Sequence, residues 1–591
     1  MKKIWIGIAA ALVVVFGLVF LMQGRKGGVA TDELSEYVPQ DALVLLSLTN
    51  LNTITDNFGA SPLGRFFAKD TIHAVLTDMG ATTEETQAYD QWYDSVAATM
   101  KNPVFRTVFG DDLTVVLLPP DTQLFKENPE QALRRSLVVY ATTGTGAAAE
   151  LFGGMAKGVQ INKEQAEGLE LTRIQVENAK ETYYAYNTKG IVLLAQDKAP
   201  ILAGVKAREA GAGLKTKAGF QEASGFWRDA PAASTYSRGY YNVAGIAALL
   251  PLLDEGKDVQ EVASYLKGLE YGYDVTDKTA RGLENKSRIT IRYDQLHDML
   301  KTMVDEAASG AGVPLSLVND KTLFFQWGYS LKPESVLKLM AAEDPKGYAG
   351  LQAEAQTALG IPLEDAASAF GPRYGLVLND IVETGIFPLP DLTVFANVRN
   401  RDHMNSIANF LNQQVAAYGL SGEQQQVAGN TQLYSWPVMT EVGLVPALGL
   451  NDSLVFLGTM KNSMQPLLAG QSEAAEAAKA LPADLSAQLG PEMSEKFATA
   501  NGGAYLLRSA RFAAKSQSTL DLLTSLAAPA TGMSFARLGQ EIGKLMQATE
   551  LVAGTSTISK EAIDWDTLWI PAAAPAQTAA PSAASPESKA Q

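Results

Sequence analysis

The chain has 591 residues, with 48 Lys+Arg against 64 Asp+Glu, three histidines, no cysteine and a formal charge of −16. Without cysteine there is no disulfide scaffold, thiolate zinc site, iron–sulfur cluster, cysteine nucleophile or cysteine-linked lipid anchor. The acidic balance argues against a broad grip on phosphate backbones, so no nucleic-acid partner is expected, and the length predicts more than one core.

Residues Ile4 to Met22 are uncharged, with Lys2 and Lys3 before them and Arg25 and Lys26 after. As a helix this stretch reaches about 28 Å, close to the ~30 Å hydrocarbon thickness of a bilayer. A cleavable signal has a shorter apolar region and a small-x-small site, and no such site follows Phe20, Leu21, Met22 and Gln23. Residues 1–28 are therefore expected to form an N-terminal transmembrane anchor, with a signal peptide as the alternative. The expected placement is the inner (cytoplasmic) membrane, single-pass, with the N-terminus inside and the body in the periplasm or outside the cell. Gly7 and Ala11 form a small-xxx-small pair of the kind that lets two anchors meet.

Residues 29–40 are polar and acidic (Asp32, Glu33, Glu36) and read as a tether. From there two α+β modules follow, 41–300 and 321–570, separated by a linker at 301–320. The first opens with a strand pattern from Asp41 to Leu48, the second with one from Lys321 to Trp327. Each continues with a Phe-Gly turn before an apolar strand, Phe109 to Leu117 and Phe370 to Leu378. Next comes a strand entering a helix: Leu137 to Tyr140 then Ala147 to Lys157, and Leu392 to Phe395 then Asp402 to Val415. A strand pair leading to a short helix follows each time, Tyr183 to Tyr186 with Ile191 to Ala195, and Leu433 to Val438 with Leu454 to Gly458. Ser287 to Ile291 and Asp566 to Ile570 close the copies. Matched elements lie roughly 255–280 residues apart, the self-similarity of an internal duplication. The expected fold is α+β: two tandem copies of a mostly antiparallel sheet with helices packed on one face, after the transmembrane helix. Beyond Ile570, residues 571–591 are Ala, Pro and Ser-rich and read as a disordered tail.

These residues carry a resemblance. Val38 to Asp41 place Pro-x-Asp before a strand, Ser61 to Arg65 follow, and Leu359 to Asp365 lead an acidic helix into Phe370 and Gly371. The chain resembles a family of bacterial membrane-anchored exported proteins catalogued as a domain of unknown function. In the first copy Asn102 to Thr107 replaces the acidic helix. The resemblance implies an extracytoplasmic place but no reaction, so it transfers no catalytic residue.

The search for chemistry assigns no catalytic, cofactor-binding or metal site. His73, His297 and His403 stand far apart without metal-ligand spacing, and Asp402 beside His403 reads as a helix-capping group. Gly144, Gly146 and Ala149 after a strand fit a dinucleotide turn, but the second copy has no glycine there and no acidic strand end follows. Ser264 with Lys267 and Ser335 with Lys338 have serine–lysine spacing without the companion motifs, and read as helix-surface pairs. Asp111 with Asp112, and Asp564 with Asp566, border strands. Tyr183, Tyr184, Tyr186, Tyr236, Tyr240, Tyr241, Tyr271 and Tyr273 read as strand residues, or if exposed as a groove for glycans or peptides. Lys206, Arg208, Lys215 and Lys217 read as a basic loop, with anionic headgroups as the alternative. The functional expectation is a non-catalytic binding or scaffolding protein of the bacterial envelope, with an unidentified envelope protein or lipid as partner. The alternatives are a binder of lipid or another hydrophobic ligand and, third, an enzyme of unrecognised type.

Overall fold

Alternation makes the strands. In Val44–Thr49, Leu45, Ser47 and Thr49 turn inward and are buried while Val44, Leu46 and Leu48 are half-buried on the other side. The computed structural model describes residues 31–573 apart from residue 50, 102–105, 107–111, 143–158, 177–181, 229–234, 254–256, 309–314, 330–331, 386, 428–430, 465–480 and 532–533. The anchor segment Ile4 to Met22, the glycine turn at Gly144 and Gly146, and the tail from 574 lie outside the described residues. Among the described residues no helix is long and apolar enough to cross a membrane.

The strands of the N-terminal half are β1 (Val44–Thr49), β2 (Asp112–Leu117), β3 (Leu137–Thr142), β4 (Val159–Ala166), β5 (Leu169–Val176), β6 (Thr182–Thr188), β7 (Ile191–Ala195), β8 (Thr235–Asn242), β9 (Leu269–Lys278) and β10 (Leu283–Ile291). Those of the C-terminal half are β11 (Phe324–Tyr329), β12 (Phe370–Glu383), β13 (Pro388–Val398), β14 (Glu423–Gln426), β15 (Gln432–Ser435), β16 (Ala447–Leu450), β17 (Leu454–Gly458), β18 (Gly503–Leu507), β19 (Thr549–Ile558) and β20 (Ala562–Pro571). Among the described residues every pairing between these strands is antiparallel. The first half runs β4-β5-β6-β7-β3-β2-β1-β8-β9-β10. The second runs β14-β15-β16-β17-β13-β12-β11-β18-β19-β20, the same order.

The expectation of two separate tandem sheets is corrected here: β10 pairs with β20 from Leu283↔Trp569 to Thr290↔Ala562, and the twenty strands among the described residues form one sheet. A strand at the end of a half-sheet exposes a row of unpaired N–H and C=O groups, and pairing the two ends satisfies both rows. Arg288 and Asp564, directly opposed, add two hydrogen bonds of 2.5 and 3.0 Å across this seam.

Directly opposed residues share a face, so the register fixes where the cores lie. On one face Phe220 and Trp227 of helix Ala218–Arg228 pack with Tyr240 and Tyr273. On that same face Leu485, Leu489 and Phe497 of helix Ala483–Thr499 pack with Phe325, Trp327 and Leu506. The expected restriction of helices to one face does not hold, because Phe512 of helix Ser509–Thr531 packs with Phe324, Leu378 and Leu392 on the opposite face. The segment read as a linker is also structured. Val304 and Ala307 of helix Asp298–Ala308 and, further on, Leu315 and Leu317 are buried, since Leu300, Met303, Val304 and Ala307 recur at helical spacing. Leu34, Tyr37 and Val38, in the segment read as a tether, are buried in the first core.

Candidate functional site

The register leaves a band of large side chains in water on the face opposite the two main cores. One row crosses five neighbouring strands: Tyr505 on β18, Gln326 on β11, Leu376 on β12, Val394 on β13 and Leu457 on β17 are successive Cα partners. The next row runs from Trp565 on β20 through Ser556, Gly503 and Gly328 to Tyr374 on β12. Tyr374 is 54% exposed, Leu457 44%, Val394 40%, and Trp565 and Tyr505 each 36%. Isolated exposed apolar residues are ordinary, but contiguous ones mark a surface that meets something.

Local packing fixes the shape of this band. Tyr505 lies down on the sheet: a Cβ at Gly554, its neighbour on β19, would come within 2.3 Å of the ring. Its hydroxyl reaches Thr567 Oγ1 on β20 at 3.3 Å. The side chain thus lies across β19 rather than standing up from β18. Beside it Gly328 leaves the floor open, since a Cβ there would meet nothing within 4 Å. The result is a shallow trough with aromatic platforms, a glycine floor and an aliphatic extension toward β17.

The opposite face carries a cleft of about 260 Å³ at the seam, lined by Arg281, Glu284, Lys286, Glu492, Lys496 and Asp566 among others. Its charges are spent on one another. Lys286 bonds Glu492 at 3.1 Å, and Lys496 bonds Glu492 at 3.1 Å and Asp566 at 2.8 Å. Arg281 bonds Glu284 at 2.7 Å and also donates to the Leu489 carbonyl. Hydrogen bonds from Lys286 and Lys496 hold the Glu492 carboxyl below its usual range. Burial opposes charge on Lys496, but Asp566 and Glu492 outweigh it and raise its pKa. Three cations against three anions suit an interlock between the halves, joining helix Ala483–Thr499 to β10 and β20.

The residues weighed from sequence fall into local structural pairs. His73 bonds Asp90 at 2.8 Å, His403 bonds Ser368 at 2.8 Å, and His297 lies 4.5 Å from the Tyr265 ring, centroid to centroid. Asn400, not Asp402, caps the helix at His403. Among the described residues no His, Asp and Glu group is arranged to hold a metal. Asp564 and Asp566 share a face but pair with Arg288 and Lys496, and Asp112 is buried in β2. Ser335 and Lys338 lie on helix Pro333–Glu343, and Lys338 is exposed. Ser264 lies in the last turn of helix Lys257–Tyr265, and Lys267 lies beyond it.

The tyrosines sit in β6, β8 and β9, with Tyr236, Tyr240 and Tyr273 buried. The basic run is not a loop: Lys206 and Arg208 end helix Lys198–Glu209. Lys206 pairs with Glu167, Arg208 and Lys215 pair with Glu36, and Lys217 covers the Tyr271 ring at 5.4 Å. The trough itself escaped the sequence. Trp565, Tyr505 and Tyr374 are distant in the chain and only strand register brings them onto one face.

No protein-family model matches the chain, and no curated protein matches it. A solved structure of TP0453 in crystal form I is similar at 8% identity and a TM-score of 0.22, over 45% of this chain and 81% of that one. A likeness so slight carries no argument about fold or function.

Proposed function

We propose that the protein is a non-catalytic binding or scaffolding protein of the bacterial envelope, held at the cytoplasmic membrane by Ile4 to Met22 with its body on the far side. The open sheet face is its docking surface. The observation that carries this reading is the contiguous exposure of Trp565, Tyr505, Tyr374, Val394 and Leu457 on one face. Burying such side chains contributes roughly 25 cal/mol per Å² of apolar surface, so a partner seated there gains affinity directly. The aliphatic end at Leu376, Val394 and Leu457 favours a second reading, a hydrophobic ligand laid along the sheet.

A photo-crosslinking residue at Leu457 or Val394, activated in intact cells, tests the surface. Adducts from these positions, with none from the exposed Tyr418, are expected. Equal labelling at all three, or none at the two sheet positions, would overturn the reading. A reporter active only in the cytoplasm, fused after residue 573, should stay silent, and a signal from it would contradict the exported placement.

A further inference from the structure

We infer that the trough between β20 and β12 binds a linear, uncharged glycan, with Trp565, Tyr505 and Tyr374 as stacking platforms. The inference rests on the docking-surface reading and names its ligand. Three features of the trough point to this chemistry.

The first is spacing. Along the sheet the order is β20, β19, β18, β11, β12, so the three aromatic residues stand on every second strand. The Tyr505 ring crosses β19 and reaches Thr567 on β20, so it lies beside Trp565, with Tyr374 standing alone on β12. At about 4.8 Å per strand the trough spans about 19 Å from β20 to β12. Only a linear ligand of several sugar units reaches from the Trp565 and Tyr505 pair to Tyr374.

The second is presentation. Sugar rings stack on aromatic rings through their apolar C–H faces, which requires the aromatic face to be turned outward. Tyr505 is laid along the sheet by Gly554 beneath it and Thr567 at its hydroxyl. Gly503 and Gly328 carry no side chain between Trp565 and Tyr374, leaving room for the sugars to approach the backbone.

The third is polarity. Between the platforms lie Ser556, Thr567 and Gln326, which offer hydroxyls and an amide, and these two rows hold no charged residue from β20 to β12. Neutral donors and acceptors interleaved with aromatic faces match sugar hydroxyls. An acyl chain has no use for them, and a nucleic acid or anionic polymer would need cations. A folded protein is a poor fit by size. Two rows about 7 Å apart over about 19 Å cover on the order of 130 Å², well short of the ~800 Å² per partner of a stable protein interface.

The full chain in neutral detergent micelles, titrated calorimetrically with N-acetylglucosamine oligomers from dimer to hexamer, tests the inference. Affinity is expected to rise with length up to the hexamer, since only the longer chains reach all three platforms. Gly328→Val should weaken hexamer binding at least tenfold without lowering the thermal midpoint, because its side chain enters open space rather than the protein. Trp565→Ala should weaken binding about tenfold, and Tyr418→Ala, at an exposed position off this surface, should leave it unchanged. Failure of every oligomer to bind, or binding indifferent to both Gly328→Val and Trp565→Ala, would overturn the glycan. If instead phosphatidylglycerol vesicles bind and Gly328→Val abolishes that binding, the glycan is wrong while the docking surface stands. If oligomers bind as described but no cellular crosslink forms at Leu457, the glycan site stands and the wider docking reading falls.

Discussion

Arg508 offers a test in which two substitutions at one ion pair should have opposite consequences. It is 2% exposed, directly after β18, where its backbone N–H donates to the Leu323 carbonyl at 2.9 Å. Its guanidinium reaches Asp484 Oδ2 at 2.9 Å in the first turn of helix Ala483–Thr499, while the Asp484 side chain is 41% exposed. The arginine Nε is buried without a partner. Removing the acid strands a cation in the protein, whereas removing the arginine returns the acid to water. Breaking a buried pair costs about 3–5 kcal/mol, and Asp484→Ala should fall near 3 because the acid is partly solvated. Arg508→Met replaces the charge by an apolar stem of similar length and should change stability by less than about 1 kcal/mol. The double variant should behave like Arg508→Met. Urea unfolding followed by far-ultraviolet circular dichroism measures this: with a slope of about 3 kcal/mol/M, the midpoint of Asp484→Ala should drop by roughly 1 M. Equal losses for both single variants, or no loss for Asp484→Ala, would refute the argument that the guanidinium is sealed from water.

Phe497 is fully buried, its ring 6.2 Å from that of Phe325, so Phe497→Ala should cost about 3–5 kcal/mol in the same assay, and a loss below 1 would place the helix off the sheet. Burial, reinforced by Asp380 opposite, raises the pKa of Asp391 on β13, against a hydrogen bond from Ser463. A carboxyl with a raised folded-state pKa binds protons in the fold that the unfolded chain has released, so stability declines as pH rises from the usual carboxylate range through that raised value. Asp391→Asn should therefore be more stable than the parent at neutral pH, with the difference shrinking toward pH 4. A difference that grows on acidification would contradict the burial argument. Gly204→Ala should destabilise by about 1–3 kcal/mol, because its Cβ would sit 2.5 Å from the Tyr37 carbonyl oxygen where helix Lys198–Glu209 crosses the chain, and a neutral result would mean looser packing there.

Strand positions were legible wherever alternation was clean, as in β1, where Leu45, Ser47 and Thr49 share the buried side. The β4–β5 hairpin is closed by a two-residue turn, Glu167-Gly168, with both residues at positive φ, and Glu at the first of them gives little local sign of it. Lys189-Gly190 closes β6 onto β7 in the same way. Two segments expected to separate the modules carry enough apolar residues to fold against the sheet: Leu34, Tyr37 and Val38 among acidic neighbours in the expected tether, and Met303, Val304 and Ala307 in the expected linker. Pairing was out of reach, because β10 and β20 are far apart in the chain and nothing local says that one will close on the other. The trough shares that difficulty, since Trp565, Gly328 and Tyr374 gain meaning only through register.

Continuity of the sheet through β10 and β20 underlies the whole architecture, and a chain without cysteine allows a clean test of it. Asn285 and Thr567 are direct partners across the seam, so their Cα atoms should lie about 4.5–5.5 Å apart, within the span a disulfide bridges. After mild oxidation of the dilute Asn285→Cys/Thr567→Cys variant, peptide mapping by mass spectrometry should recover a crosslink between the β10 and β20 peptides within one monomer. Two free thiols in the folded, oxidised protein would mean that the halves carry separate sheets.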